Sequence, residues 1–305
     1  KIECISEQAF EDNNLKTVNI PDSINRIEEA AFNGNDGEAE YAYFVVLKTP
    51  NGENANNLPD KENYFINPSA DKRVSKIELN YKKWDNRDFK FAGTAVTGFS
   101  GTGLLKVKVN KKVVIPRINN NNEPITEISD SAFRNVDFEG QSLNKLDIEA
   151  VTLPKSLKTI GDFAFQSNNI TDVELGECEE LVQIGQGAFM NNKIDTLELN
   201  KGLKVIDNAA FHINKLNAII IPQSVEKIGS SAFRECEATT VIFEEGSNLS
   251  SLGEMAFLSN ALESVTIPDG ITFIPVQAFA DNKLTEVNLP RNLKTIKEEA
   301  FSKNR

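Results

Sequence analysis

The sequence predicts a repeat solenoid, mainly β with short helical turns, in which about ten right-handed coils of 22–24 residues stack, interrupted once by a β-rich insertion. Three observations predict it. Ten Ala-Phe dipeptides punctuate the chain, ending at Phe10, Phe32, Phe133, Phe165, Phe189, Phe211, Phe233, Phe257, Phe279 and Phe301, and most successive pairs lie 22 or 24 residues apart. A shared run of apolar positions leads into these dipeptides. Asparagine follows three residues after most of the phenylalanines.

The segment from Leu284 to Asn304 shows one coil in full: Leu284, Val287, Leu289, Pro290, Leu293, Ile296, Ala300, Phe301, Asn304. Alternation at Val287 and Leu289 reads as a short strand with one buried face. Pro290 ends it, because proline has no N–H to give to a ladder. Leu293 and Ile296 mark a second extended or turn segment, and Lys297 to Phe301 resembles a single helical turn that sends Phe301 inward. Leu15-Val18-Ile20-Pro21-Ile24-Ile27, Leu216-Ile219-Ile221-Pro222-Val225-Ile228 and Leu262-Val265-Ile267-Pro268-Ile271-Ile274 repeat the pattern. A coil of this kind buries its apolar side only against its neighbours.

The asparagines Asn13, Asn35, Asn168, Asn192, Asn214, Asn260, Asn282 and Asn304, with Cys236 in the same place in one coil, form an expected ladder. An amide supplies both donors and an acceptor, so it can satisfy the backbone groups buried at the turn between coils. Their role is structural.

In chain order the repeats begin at residues 1–35, an insertion fills 36–110, and the main solenoid occupies 111–305. Between Phe32 and Phe133 the period fails for 101 residues, far more than a connecting loop needs. Val113-Val114-Ile115-Pro116 and Ile125-x-x-Ile128 still echo a coil, widened by the polar run Asn119 to Asn122. Ile5 already sits late in a coil and the chain stops mid-coil at Asn304-Arg305, so it reads as a fragment of a longer protein.

The net charge of −12 argues against nucleic-acid binding, which needs a concentrated basic surface. Residues 71–117 nevertheless carry twelve Lys or Arg against four Asp or Glu, so a basic block sits in an acidic chain. It is either a solvated, self-docking face or a patch for an acidic glycan or acidic protein. Cys4, Cys178 and Cys236 fall in different coils, too far apart along a stack of ~4.8 Å spacing to form a disulfide. No secretory apolar segment or membrane-spanning run is present.

The pattern Leu-x-x-Val-x-Leu-Pro-x-x-Leu-x-x-Ile-x-x-x-Ala-Phe-x-x-Asn at 284–304, with Asn or Cys at its last position, resembles the BspA-like leucine-rich repeat of bacterial cell-surface proteins. The match covers 1–35 and about 111–305. Residues Trp84 to Phe133 also resemble a module that accompanies such repeats in Gram-positive surface proteins. The resemblance implies an exported, extracellular interaction module that adheres to host proteins or other cells.

Two surfaces are candidates for binding. The insertion holds all four tyrosines, Tyr41, Tyr43, Tyr64 and Tyr81, and the sole tryptophan, Trp84. Such residues are enriched at interface hot spots, and equally they build the core of a small β-rich insert. The second surface is the outward column of the strand before the proline position, which includes Thr152, Glu174, Glu198, Ile220, Ile242 and Thr266. Its two isoleucines, beside Ala218 and Thr240, make an apolar shelf bordered by Glu174, Asp195 and Glu198. High β-propensity is the competing reason for isoleucine there.

The chain offers few groups for chemistry. The single histidine, His212, has no nucleophile motif with it and reads as an exposed turn residue. Gly98-x-x-Gly101-x-Gly103 lacks the residues of a phosphate loop and reads as a flexible hairpin. Asn35-Asp36-Gly37-Glu38 falls short of a calcium loop, and the pairs Glu179-Glu180 and Glu298-Glu299 read as solvated charge. The expectation is therefore a non-enzymatic, monomeric binding module with no cofactor, metal, nucleic-acid or membrane role. Its expected partner is an extracellular host protein or an acidic glycan. The alternative is a solenoid spacer between enzymatic or heme-capturing modules.

Overall fold

The computed structural model describes residues 84–135 and 146–304, with the backbone of two short strands, Cys4–Ile5 and Arg26–Ile27. Two compact units divide the chain, 1–83 and 84–305. In the first, Cys4 pairs in parallel with Arg26 and Ile5 with Ile27, the 22-residue offset of one coil.

The second unit is the solenoid. Its most continuous ladder comes from the second half of the coil, around the position of Ile296. Parallel strands Glu127–Ile128, Thr159–Ile160, Gln183–Ile184, Val205–Ile206, Lys227–Ile228 and Ser251–Leu252 run in one sheet, each isoleucine or leucine stacked on the next. Phe273–Ile274 and Thr295–Ile296 continue the same position as a separate pair.

The sheet from the first half of the coil is broken into pieces. Lys112–Val114, Ala150–Thr152 and Asp172–Val173 pair; so do Ala218–Ile221 with Thr240–Phe243, and Ser264–Thr266 with Glu286–Asn288. Each 24-residue coil is followed by a break. The two extra residues lie between the strands, from Leu175 to Leu181 and from Phe243 to Leu249, where the standard coil needs only Ile221 to Val225. The wider corners coincide with the interruptions of pairing, and residues 195–199 form no strand at all.

The eight phenylalanines from Phe133 to Phe301 form one interior column, with ring centroids 5.2–5.6 Å apart and planes within 4–15°. Seven of them are fully buried. The two earlier ones, Phe10 and Phe32, lie outside the described residues.

The backbone around each Ala-Phe differs in detail from the helical turn expected. Non-glycine residues two before and two after phenylalanine adopt positive φ: Ala209 (52°) and Ile213 (58°) around Phe211, Ser231 (57°) and Glu235 (54°) around Phe233. Left-handed residues interrupt a helix. The alternation instead turns every second N–H along the solenoid axis. Ala209, Phe211 and Ile213 donate to the carbonyls of Ser230, Ala232 and Arg234 in the next coil, at 2.8–3.0 Å. The same triplet recurs at each junction from Ser131 to Asp281, always with donors facing the following coil. Strained φ values persist because these bonds hold them.

The asparagine ladder performs the predicted task. Asn192 donates through Nδ2 to the carbonyls of Phe165 and Phe189, both at 3.0 Å, while its Oδ1 accepts from the N–H of Ile170. Asn214, Asn282 and Asn304 repeat this set one coil after another. Cys236 Sγ reaches the Phe211 carbonyl at 3.1 Å and, more weakly, the Arg234 carbonyl at 3.7 Å.

The solenoid unit starts with a cap. Strands Phe89–Ala92 and Ala95–Phe99 form an antiparallel pair, and Ala95–Phe99 lies parallel to Glu127–Ile128, extending the long sheet. Trp84, Phe89 and Phe99 cover the end of the phenylalanine column, with Phe99 4.7 Å from Phe133. Gly98 lies in the second strand of this hairpin, paired with Lys90. It sits within a strand at φ +140°, where a Cβ would stand 2.8 Å from the Ala132 carbonyl oxygen. Gly101 and Gly103 open the helix Gly101–Val109, capped by Ser100 Oγ accepting from the Gly103 N–H. Residues 84–110, placed in the insertion by the broken period, thus share a compact unit with the repeats.

Candidate interaction face

The first-half strands place their residues alternately in and out. In Ala218–Ile221 and Thr240–Phe243 the register is Ala218 to Thr240, Ile219 to Val241, Ile220 to Ile242 and Ile221 to Phe243. Ile219, Ile221 and Val241 are buried, while Ile220 and Ile242 are 48% and 49% exposed. The shelf read from the sequence is therefore one contiguous feature, two isoleucines side by side with Ala218 and Thr240 exposed beside them. A large apolar pair left in water forgoes the stabilisation that burial gives.

Glu174, Asp195 and Glu198 are exposed on the two preceding coils. Glu198 packs across Gly176, where a Cβ would lie 2.9 Å from its Cγ. Asn200 takes the place proline holds in other coils; its Nδ2 donates to the Leu181 carbonyl at 2.9 Å. Ser224 makes the equivalent bond in the next coil, from Oγ to the Leu203 carbonyl. Neither residue stands out in the sequence, since a lone Asn or Ser at a corner carries no periodic signal.

The other sequence candidates part from this face. Tyr41 and Tyr43 lie outside the described residues, as do Tyr64, Tyr81 and the Asn35 to Glu38 run. The structure gives Trp84 to the core: it is 6% exposed, stacked on Phe99 at 5.4 Å, with its indole N–H donating to the Lys112 carbonyl at 2.7 Å. A ring so enclosed has no free face for a partner. The described cations of the basic block are in part turned onto the protein itself. Lys106 pairs with the buried Asp88 and lies over the Trp84 ring, Lys111 donates to the Leu146 carbonyl, and Arg87 pairs with Asp85.

Little in the described part is poised for reaction. Burial pushes the Cys178 thiol up to about 11, with Glu174 and Glu177 adding to the shift. Burial raises Cys236 further still. Both thiols are free. His212 Nδ1 lies 3.0 Å from the Arg234 carbonyl, a contact that requires the proton on Nδ1. Among the described residues no group of three or more His, Cys, Asp or Glu side chains gathers into a metal-holding cluster, and no helix is long and apolar enough to cross a membrane.

A stack of short coils with parallel ladders, an asparagine ladder and a phenylalanine column defines a leucine-rich-repeat solenoid, a protein-interaction class of repeat. The family described as the BspA type leucine rich repeat region matches in six copies, over residues 1–38, 137–247 and 204–305. The chain belongs to that family. It is similar to the pneumococcal vaccine antigen PcpA at 21% identity, covering 67% of this chain and 47% of that one, with a TM-score of 0.42. The Treponema pallidum leucine-rich-repeat protein TpLRR shows 21% identity, coverage of 70% and 86%, and a TM-score of 0.41. A leucine-rich-repeat protein of Bacteroides ovatus shows 18% identity, coverage of 72% and 79%, and a TM-score of 0.37. The chain thus spans about half the length of the pneumococcal antigen. No curated protein matches it.

Proposed function

We propose that this chain is a non-catalytic adhesion module of a bacterial surface protein, which captures an extracellular protein through the Ile220–Ile242 shelf. The observation that carries the reading is the register of those two side chains. Ile220 stands directly across from Ile242, and both remain about half exposed on a regular sheet. Paired apolar side chains on a rigid scaffold supply the desolvated centre that interface hot spots need. The backbone beneath them is fixed by the ladder, so little ordering is required on docking. The buried thiols and the carbonyl-bound histidine support a non-catalytic reading.

The test compares capture of serum and matrix proteins by the immobilised chain with capture by Ile220→Lys/Ile242→Lys. Loss of capture with an unchanged melting temperature is expected. Equal capture by both proteins would remove the shelf from the account.

A further inference from the structure

We infer that the segment docking on this face is cationic at both ends and apolar at its centre. The inference rests on the shelf reading and adds the chemistry of what binds there. From residue 149 onward each coil contributes three exposed or half-exposed positions to the face, for instance Asn217, Ala218 and Ile220 in one coil and Thr239, Thr240 and Ile242 in the next. Over these seven coils the positions hold seven carboxylates and no lysine, arginine or histidine, whereas the coil before them carries Lys111 and Lys112 at the equivalent positions. The two shelf coils carry none of the seven. Glu149, Asp172, Glu174, Asp195 and Glu198 lie on the coils before the shelf, and Glu263 and Glu286 on the coils after it.

None of these carboxylates has an ion-pair partner among the described residues. Cations stand at the corners of the coils, at Lys193, Lys215 and Lys283 on one edge and Lys155, Lys201 and Arg291 on the other. The long sheet on the other half of the coil is different. Its exposed charges are mostly lysine, and Lys158, Lys204 and Lys227 pair with Glu180, Glu226 and Asp207. Neutralisation across coils is thus available to this architecture, yet the shelf face goes without it. Like charges at equivalent positions of adjacent coils, such as Glu174 and Glu198, oppose stacking. A cationic partner relieves that repulsion while the isoleucines are covered.

Geometry sets the spacing. Measured along the solenoid axis, Glu198 and Glu263 are three coils apart, about 14 Å at ~4.8 Å per coil, with the two shelf coils between them. An extended peptide rises ~3.4 Å per residue, so lysines four apart with an apolar residue midway project from one face at that separation.

The probe is the nine-residue peptide Lys-Ser-Lys-Ser-Leu-Ser-Lys-Ser-Lys, with a control in which every lysine is glutamate. Binding of the lysine peptide to the whole chain should weaken at least tenfold between 50 and 300 mM salt, as solvent-exposed charge pairs do. It should weaken at least fivefold in Glu198→Gln/Glu263→Gln. Undetectable binding of the lysine peptide, or glutamate-peptide binding of equal strength, overturns the inference. So does undiminished binding to the glutamine variant. If Ile220→Ser/Ile242→Ser abolishes capture of matrix proteins while the glutamine variant captures normally, the shelf reading stands and the cationic partner falls. If both variants capture normally, both fall.

Discussion

Phe211 and Phe233 stack 5.4 Å apart with their ring planes 4° from parallel, and both are fully buried. A ring in the middle of the column, such as Phe211, stacks on a neighbour on each side, so removing it exposes two coil interfaces at once. Phe211→Ala should cost about 3–5 kcal/mol, the usual range for truncating a buried phenylalanine, with a large fall in melting temperature. Phe301→Ala should cost less, because that ring is only half buried. Equal losses at the two sites would contradict a column cooperative through its middle.

Cys236 breaks the asparagine ladder at one rung. In the flanking rungs an amide oxygen accepts from the N–H two residues past the preceding ladder position, as Asn214 does from Ile194. A thiol offers no equivalent acceptor to Leu216. Cys236→Asn should stabilise the chain by ~1 kcal/mol, the net value of one intramolecular hydrogen bond, while Asn214→Cys should destabilise it by at least as much. Chemical denaturation of the two variants checks both signs.

The free thiols give a pH test. Both have raised pKa values in the folded chain, so folding retains protons that the unfolded thiols lose near their ordinary value. Their contribution to stability is fully present below about pH 8.5 and declines as pH rises through about 11 for Cys178. Alkylation at pH 8 should leave both cysteines unmodified in the native chain and modify both after denaturation. Rapid native labelling of Cys236 would mean that the coil interior opens readily.

Gly98 and Trp84 report on the cap. Gly98→Ala forces a Cβ against the Ala132 carbonyl at a backbone angle that L-residues avoid, and should cost ~2 kcal/mol or more. Trp84 is the sole tryptophan, so native emission should be blue-shifted and should move to longer wavelength as the cap unfolds. Trp84→Ala should lower stability and leave capture unchanged. Loss of capture at unchanged stability would return Trp84 to the interface.

The fold was legible because a solenoid writes its core as a period. Phe211, Ile206 and Asn214 recur with their counterparts every 22 or 24 residues, and so regular a repeat admits few arrangements. The backbone of the Ala-Phe turn was not legible in the same way. Ala209 and Ile213 give no compositional sign of positive φ, since the strain is held by bonds to another coil and not by local preference. The breaks in the first sheet were written in the two extra residues before Leu181 and Leu249, a difference that a period of 22 or 24 understates. At the candidate face, the pairing of Ile220 with Ile242 followed from register alone. Trp84 could not be assigned from its type, because the same amphipathic ring serves a cap and a hot spot equally well; only its contacts with Phe99 and the Lys112 carbonyl decide.

The most direct test of the account is side-chain footprinting of the whole chain by hydroxyl radicals, alone and with the matrix proteins it captures. Ile220 and Ile242 should become protected, while Val182 and Phe273, exposed on the other sheet, keep their labelling. Protection of Val182 and Phe273 with Ile220 and Ile242 still fully labelled would place the interaction on the opposite face and contradict the account.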